Sequence, residues 1–153
     1  PGERGGGVRT GGRASGRAAR LECGLHCIPV AAMHKTLTAF SAAKTQPSFD
    51  FPRLERLVAG NPQRATWAHF ERDGMSAGLW GCEPGAWRIA FADDTDEFFH
   101  VLSGRIRITD EGGLAREFGP GEACVIPAGF NGVFEVLETV AKHYVFVKRG
   151  EMG

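Results

Sequence analysis

The sequence predicts an all-β barrel or sandwich of short antiparallel strands. Three observations predict it. Runs of alternating bulky residues recur at regular spacing through the second half, glycine and proline punctuate the gaps between them, and almost nothing shows the 3.6-residue period of an amphipathic helix.

The 153 residues are enough for one domain, or one domain and a tail. Eighteen basic residues balance eighteen acidic ones, which removes the global electrostatic case for nucleic acid or an anionic membrane. No apolar run approaches the roughly 18 residues of a membrane span, and no apolar signal core follows a basic start. Neither nucleic acid nor membrane is therefore expected as a partner, and the setting is read as cytoplasmic.

Residues 1–32 differ from the rest. They hold eight of the 22 glycines, five arginines and two acids, so the segment carries +3 and the remainder −3. Such a composition buries too little apolar surface to order itself, and residues 1–33 are read as a disordered tail. An RNA-binding arm is the less favoured reading, because no aromatic interleaves the arginines. The first methionine is Met33, and the chain before it resembles translated upstream sequence, so the natural protein is expected to begin there. Cys23-x3-Cys27 with His26 between them lacks a second ligand pair at zinc spacing, and free thiols in a reducing compartment are the plainer reading.

The folded domain is assigned to residues 34–153, with its core at 54–147. Pro52 to Val58 reads as one helical turn opened by proline and closed near Gly60. Asp73-Gly74, between runs that carry Trp67 and Trp80, is a hairpin signal. Gly85 to Gly104 reads as two antiparallel strands around the acidic turn Asp93 to Glu97. Trp87, Ile89 and Phe91 share one face of the first. Glu97, Phe99 and Val101 share a face of the second, with Phe98, His100 and Leu102 opposite, as if the strand were covered on both sides. Arg105 to Thr109 alternates, with Ile106 and Ile108 inward. Turns at Asp110–Gly113, Gly119–Gly121 and Pro127–Gly129 separate the returning runs. The last two runs are Val133–Leu137 and His143–Val147.

Two glycine frames carry a resemblance. Gly85-x5-Phe91-x-Asp93-x3-Glu97-x6-Gly104 keeps the spacing of the first cupin motif, and Gly121-x5-Pro127-x-Gly129 that of the second. The second half thus resembles the cupin superfamily, which implies a jelly-roll barrel. Glu55–Pro62, Gly85–Arg88, Asp96–Phe99, Leu102–Gly104, Ile126–Phe130 and Glu135–Glu138 look like the domain shared by ethanolamine-utilisation protein Q and (S)-ureidoglycine aminohydrolase. By that resemblance, a metal ion would be held by three histidines and a glutamate. The four positions hold Phe91, Asp93, Gly132 and Glu97. Phenylalanine and glycine cannot ligate, so no tightly bound cofactor is expected, and Asp93 with Glu97 would suit only a weak, hydrated divalent cation.

Alternation then places Trp87, Phe91, Asp93, Glu97, Phe99 and Phe134 around the barrel interior as candidate ligand-binding residues, with Gly132 leaving space. Glu97 is the candidate general acid or base, and Tyr144 or His143, which point to opposite faces, is its candidate partner. Three readings stay open: a binder of a small polar metabolite bearing a carboxylate or an amine, an acid/base isomerase or hydrolase using Glu97, and a structural module with a filled barrel. A homodimer is expected by analogy, with Trp67 and Trp80 as candidates for covering the shared surface.

Overall fold

Two long strands carry the architecture. In the computed structural model, which describes residues 35–41 and 44–150, the strands are β1 (Ser48–Asp50), β2 (Leu57–Ala59), β3 (Arg64–Arg72), β4 (Met75–Cys82), β5 (Gly85–Ala90), β6 (Thr95–Asp110), β7 (Ala115–Phe118), β8 (Ala123–Ile126) and β9 (Asn131–Lys148). One 3-10 turn, Leu54–Arg56, stands where proline opens the expected helical turn. The expectations for the tail, the Met33 start and Cys23/Cys27 lie outside the described residues.

The architecture is all-β and antiparallel, a curled jelly roll. Its central strand is β9. The first part of β9 pairs with β5 on one edge and with the second half of β6 on the other, while its last part pairs with β4 and the first half of β6. Beyond β4 the sheet continues to β3 and β1, and beyond β5 to β2, while β7 and β8 flank β6. The two final runs expected from the sequence are thus one strand of 18 residues. Arg105–Thr109 belongs to the same strand as Glu97. The strand bends between Val101 and Ile106, where register shifts fall around Gly104. A bulge is how one strand serves two sheets of a barrel.

The expected hairpin at Gly85–Gly104 is not a hairpin. β5 and β6 do not pair with each other; each pairs with β9. The acidic turn crosses from one side of the barrel to the other, and alternation within a strand does not reveal which strand is its neighbour. The hairpin at Asp73-Gly74 forms as read. Both residues have positive φ, 45° and 81°, as a two-residue turn matched to strand twist requires.

The two glycine frames meet in space. Phe91 donates its amide to the Phe130 carbonyl at 2.8 Å, and Gly129 donates to Ala92 at 3.0 Å. Asp96 accepts the Ala128 amide at 2.8 Å and is gripped by Arg149. Arg149 first, and that amide second, hold the Asp96 carboxyl below its ordinary range. The acidic knot is therefore partly structural: it ties the β5–β6 crossing to the loop after β8. The core behind it is Phe99, Val101, Ile106, Val136 and Val140 with Trp87 and Phe134.

The opposite face of β6 is not covered by a further layer among the described residues. Phe98, Leu102 and Val125 are exposed, which corrects the expectation of a strand covered on both sides.

Candidate functional site

Glu97 stands on the inward face of β6, between Ile126 of β8 and Phe146 of β9 in register. It is buried, and its carboxylate Oε1 accepts a hydrogen bond from Lys142 Nζ at 2.6 Å. Lys142 lies on β9 opposite Trp80 and Val101, and is buried as well. Its ammonium is 4.5 Å from the Phe99 ring centroid, 4.8 Å from Trp80 and 5.1 Å from Phe134. Aromatic faces attract a desolvated cation, and a carboxylate neutralises it. Charge and rings together let a lysine sit in the barrel.

This pair forms the floor of a cavity of about 460 Å³. Trp80, Trp87 and Phe134 make one wall, with Trp87 and Phe134 at 5.1 Å and Trp80 edge-on to Phe134 at 5.7 Å. Phe91 and Phe146, stacked at 6.3 Å, make another. The hydroxyls of Thr66, Ser76 and Tyr144 line the side toward β3 and β4. At the mouth Arg64 forms a two-point ion pair with Asp50 and lies over Trp87. Glu71 is the third carboxylate of the lining, after Asp50 and Glu97.

The geometry sorts the expected residues. Trp87, Phe91, Glu97 and Phe134 line the cavity together, and Phe99 packs behind the ammonium as core. Tyr144 shares the cavity; burial pushes its phenol up, with Ser76 beside it acting the other way, so it stays a donor at neutral pH. His143 points to the other side of β9, edge-on to Phe40 at 5.5 Å. It is not a partner of Glu97, and neither is Tyr144: the partner is Lys142. Asp93 is exposed in the turn before β6 and outside this cavity, so it does not share a site with Glu97. Gly132 leaves no space, because a Cβ there would collide with the Thr109 carbonyl and meet the Phe130 ring at 2.9 Å. Trp80 is a cavity wall, not a surface residue awaiting a partner.

The four positions that would hold a metal do not fit one. Phe91 has no donor atom, Gly132 has no side chain, Asp93 faces solvent, and Glu97, with one oxygen on Lys142, is the single carboxylate of the four left facing inward. Among the described residues no group of three histidine, cysteine or carboxylate side chains converges on a point. The two cysteines described are free. Burial pushes the Cys82 thiol up to about 12 and raises Cys124, so both resist forming thiolate.

Residues 71–144 match the family model of the EutQ-like cupin domain. No curated protein matches the sequence. Among solved structures, the chain is similar to a DUF861-family protein of unknown function from Pseudomonas syringae pv. tomato, at TM-score 0.60 and 20% identity over 67% of this chain and 44% of that one. It is similar to the EutQ protein of Clostridium difficile at TM-score 0.52 and 20% identity, over 57% of this chain and 64% of that one. It is also similar to a putative ethanolamine utilization protein Q from Salmonella typhimurium, at TM-score 0.52 and 19% identity over 69% and 98%. The chain thus spans less than two thirds of the first two relatives. At these identities the likeness speaks for the fold, and together with the domain matched over residues 71–144 it supports a small cupin-superfamily protein of the EutQ-like branch.

Proposed function

We propose that the protein binds a small polar metabolite in the barrel cavity, without a tightly held transition metal. One observation carries this reading: an enclosed carboxylate–ammonium pair forms the floor of an aromatic cavity that side chains do not fill. A concave, mostly apolar pocket with a few convergent polar groups is the usual form of a small-molecule site. The filled-barrel reading loses support from the same volume. A metabolite screen followed by thermal unfolding tests the proposal. Stabilisation that Trp80→Ala or Phe134→Ala abolishes is expected; a screen without hits counts against it.

An acid/base enzyme, an isomerase or hydrolase of a small amine or carboxylate, is the second reading. It rests on the Glu97 carboxylate and the Tyr144 hydroxyl lining one cavity. Turnover that survives Glu97→Gln would dismiss it.

The setting we propose is cytoplasmic, supported by the free thiols. We also propose a homodimer, formed through the outer face of β6, β8 and β9. There the exposed Phe98 and Val125 stand in register, with the half-buried Val145 on the other side of Phe98. Light scattering at micromolar concentration tests it, with a dimer expected and a monomer opposing.

A further inference from the structure

The cavity's charges choose between the two ligand chemistries that the sequence leaves open. Both of its cations are already engaged. Lys142 gives one N–H to Glu97 and meets the faces of three rings, which leaves it little to offer a ligand. Drawing it away would leave a buried carboxylate unpaired. Arg64 directs Nε and Nη2 to Asp50, and Nη2 also to the Phe51 carbonyl. An incoming anion would therefore meet only cations already paired with a carboxylate.

The acceptors are less occupied. Glu97 uses Oε1 for Lys142, while its Oε2 accepts no hydrogen bond from the described residues. No enclosed side-chain oxygen or nitrogen among those residues lacks a partner, so Oε2 is open to the cavity that Glu97 lines. Glu71 at the rim makes no ion pair with a described residue. Arg64 and Lys142 against Asp50, Glu71 and Glu97 give the lining two positive and three negative groups, a balance of −1.

We infer that the ligand is a protonated amine with a compact apolar body, whose ammonium donates to Glu97 Oε2 while the body lies against Trp87 and Phe134. This rests on the cavity being a binding site, as proposed above. Lys142 then acts as a resident cation. It fixes one oxygen of Glu97 and leaves the other aimed at the ligand, and a second ammonium can share the same carboxylate. The aromatic wall serves both cations, because ring faces favour desolvated positive charge.

Benzylamine and benzoate share a ring and differ in charge, which makes them matched probes. Calorimetric titration of the full chain at neutral pH and low salt should show benzylamine binding and no benzoate binding. Glu71→Gln, on an exposed residue, should weaken benzylamine roughly two- to fivefold, the size of a surface charge effect. Added salt should weaken it in the same direction. Benzoate binding as tightly as benzylamine would overturn the inference and leave the cavity reading standing. Binding of neither probe would remove both. Benzylamine affinity indifferent to Glu71→Gln and to salt would also overturn it, since the amine would then be held by its ring alone.

Discussion

Lys142 Nζ lies 2.6 Å from Glu97 Oε1, inside the barrel and away from solvent. The pair joins strand β6 to strand β9 across 45 residues of sequence. Removing one member leaves the other charged and enclosed. Lys142→Met should cost about 3–5 kcal/mol in urea unfolding. The double variant Glu97→Leu with Lys142→Met should recover most of that loss, since two apolar side chains of similar volume replace the pair. Equal and additive costs would show that the two groups are not coupled.

Gly104 sits at φ +77°, where an added Cβ would collide with the Thr139 carbonyl. The clash is with the backbone of β9, at the point where the register of β6 on β9 shifts. Gly104→Ala should destabilise by at least roughly 1–3 kcal/mol. An unchanged midpoint would mean that the bend in β6 relaxes freely.

Histidines restored at the family's ligand positions should not rebuild a metal site. Gly132→His has no room beside Thr109 and Phe130, and Asp93→His faces solvent. The triple variant with Phe91→His should lose stability and bind no stoichiometric zinc by elemental analysis. A folded, zinc-loaded variant would contradict the geometry.

Acid should weaken the fold through His143. Burial, and then the nearby His100 and His69, hold its imidazole below the ordinary 6.5. The unfolded chain takes up the proton first as pH falls. This contribution to stability is full above 6.5 and is lost as pH drops from there through the lower folded value. His143→Gln should flatten the pH dependence of the unfolding midpoint between neutral and mildly acid solution. An unchanged slope would assign it to other groups.

Much of this was readable from residues. Ile106 and Ile108 alternate inward against Arg105 and Arg107, and the buried set follows that parity. The frames around Gly85–Gly104 and Gly121–Gly129 mark where the two motif loops meet. Strand neighbours were not readable. The β5–β6 segment looks like a hairpin because pairing depends on partners far along the chain, and both strands choose β9. Lys142 was the site residue to which sequence reasoning gave no role, although it was placed on Tyr144's face. Its signal was its parity: it shares the inward face with Tyr144 and Val140, where a lysine breaks the pattern unless something neutralises it. Trp80 was misplaced because β4, with Gly78 and Gly81, alternates too weakly to declare its inner face. The space at Gly132 was misjudged because Phe130, two residues earlier, folds its ring into it.

The cavity beside Glu97 is the proposed seat of a small molecule. A crystal structure of the protein soaked with a set of small amines and acids tests it most directly. Density is expected for a bound molecule against Glu97, between Trp87 and Phe134, with Lys142 still on the other carboxylate oxygen. Rings collapsed into the cavity, with soaked molecules only on the outer surface, would contradict it.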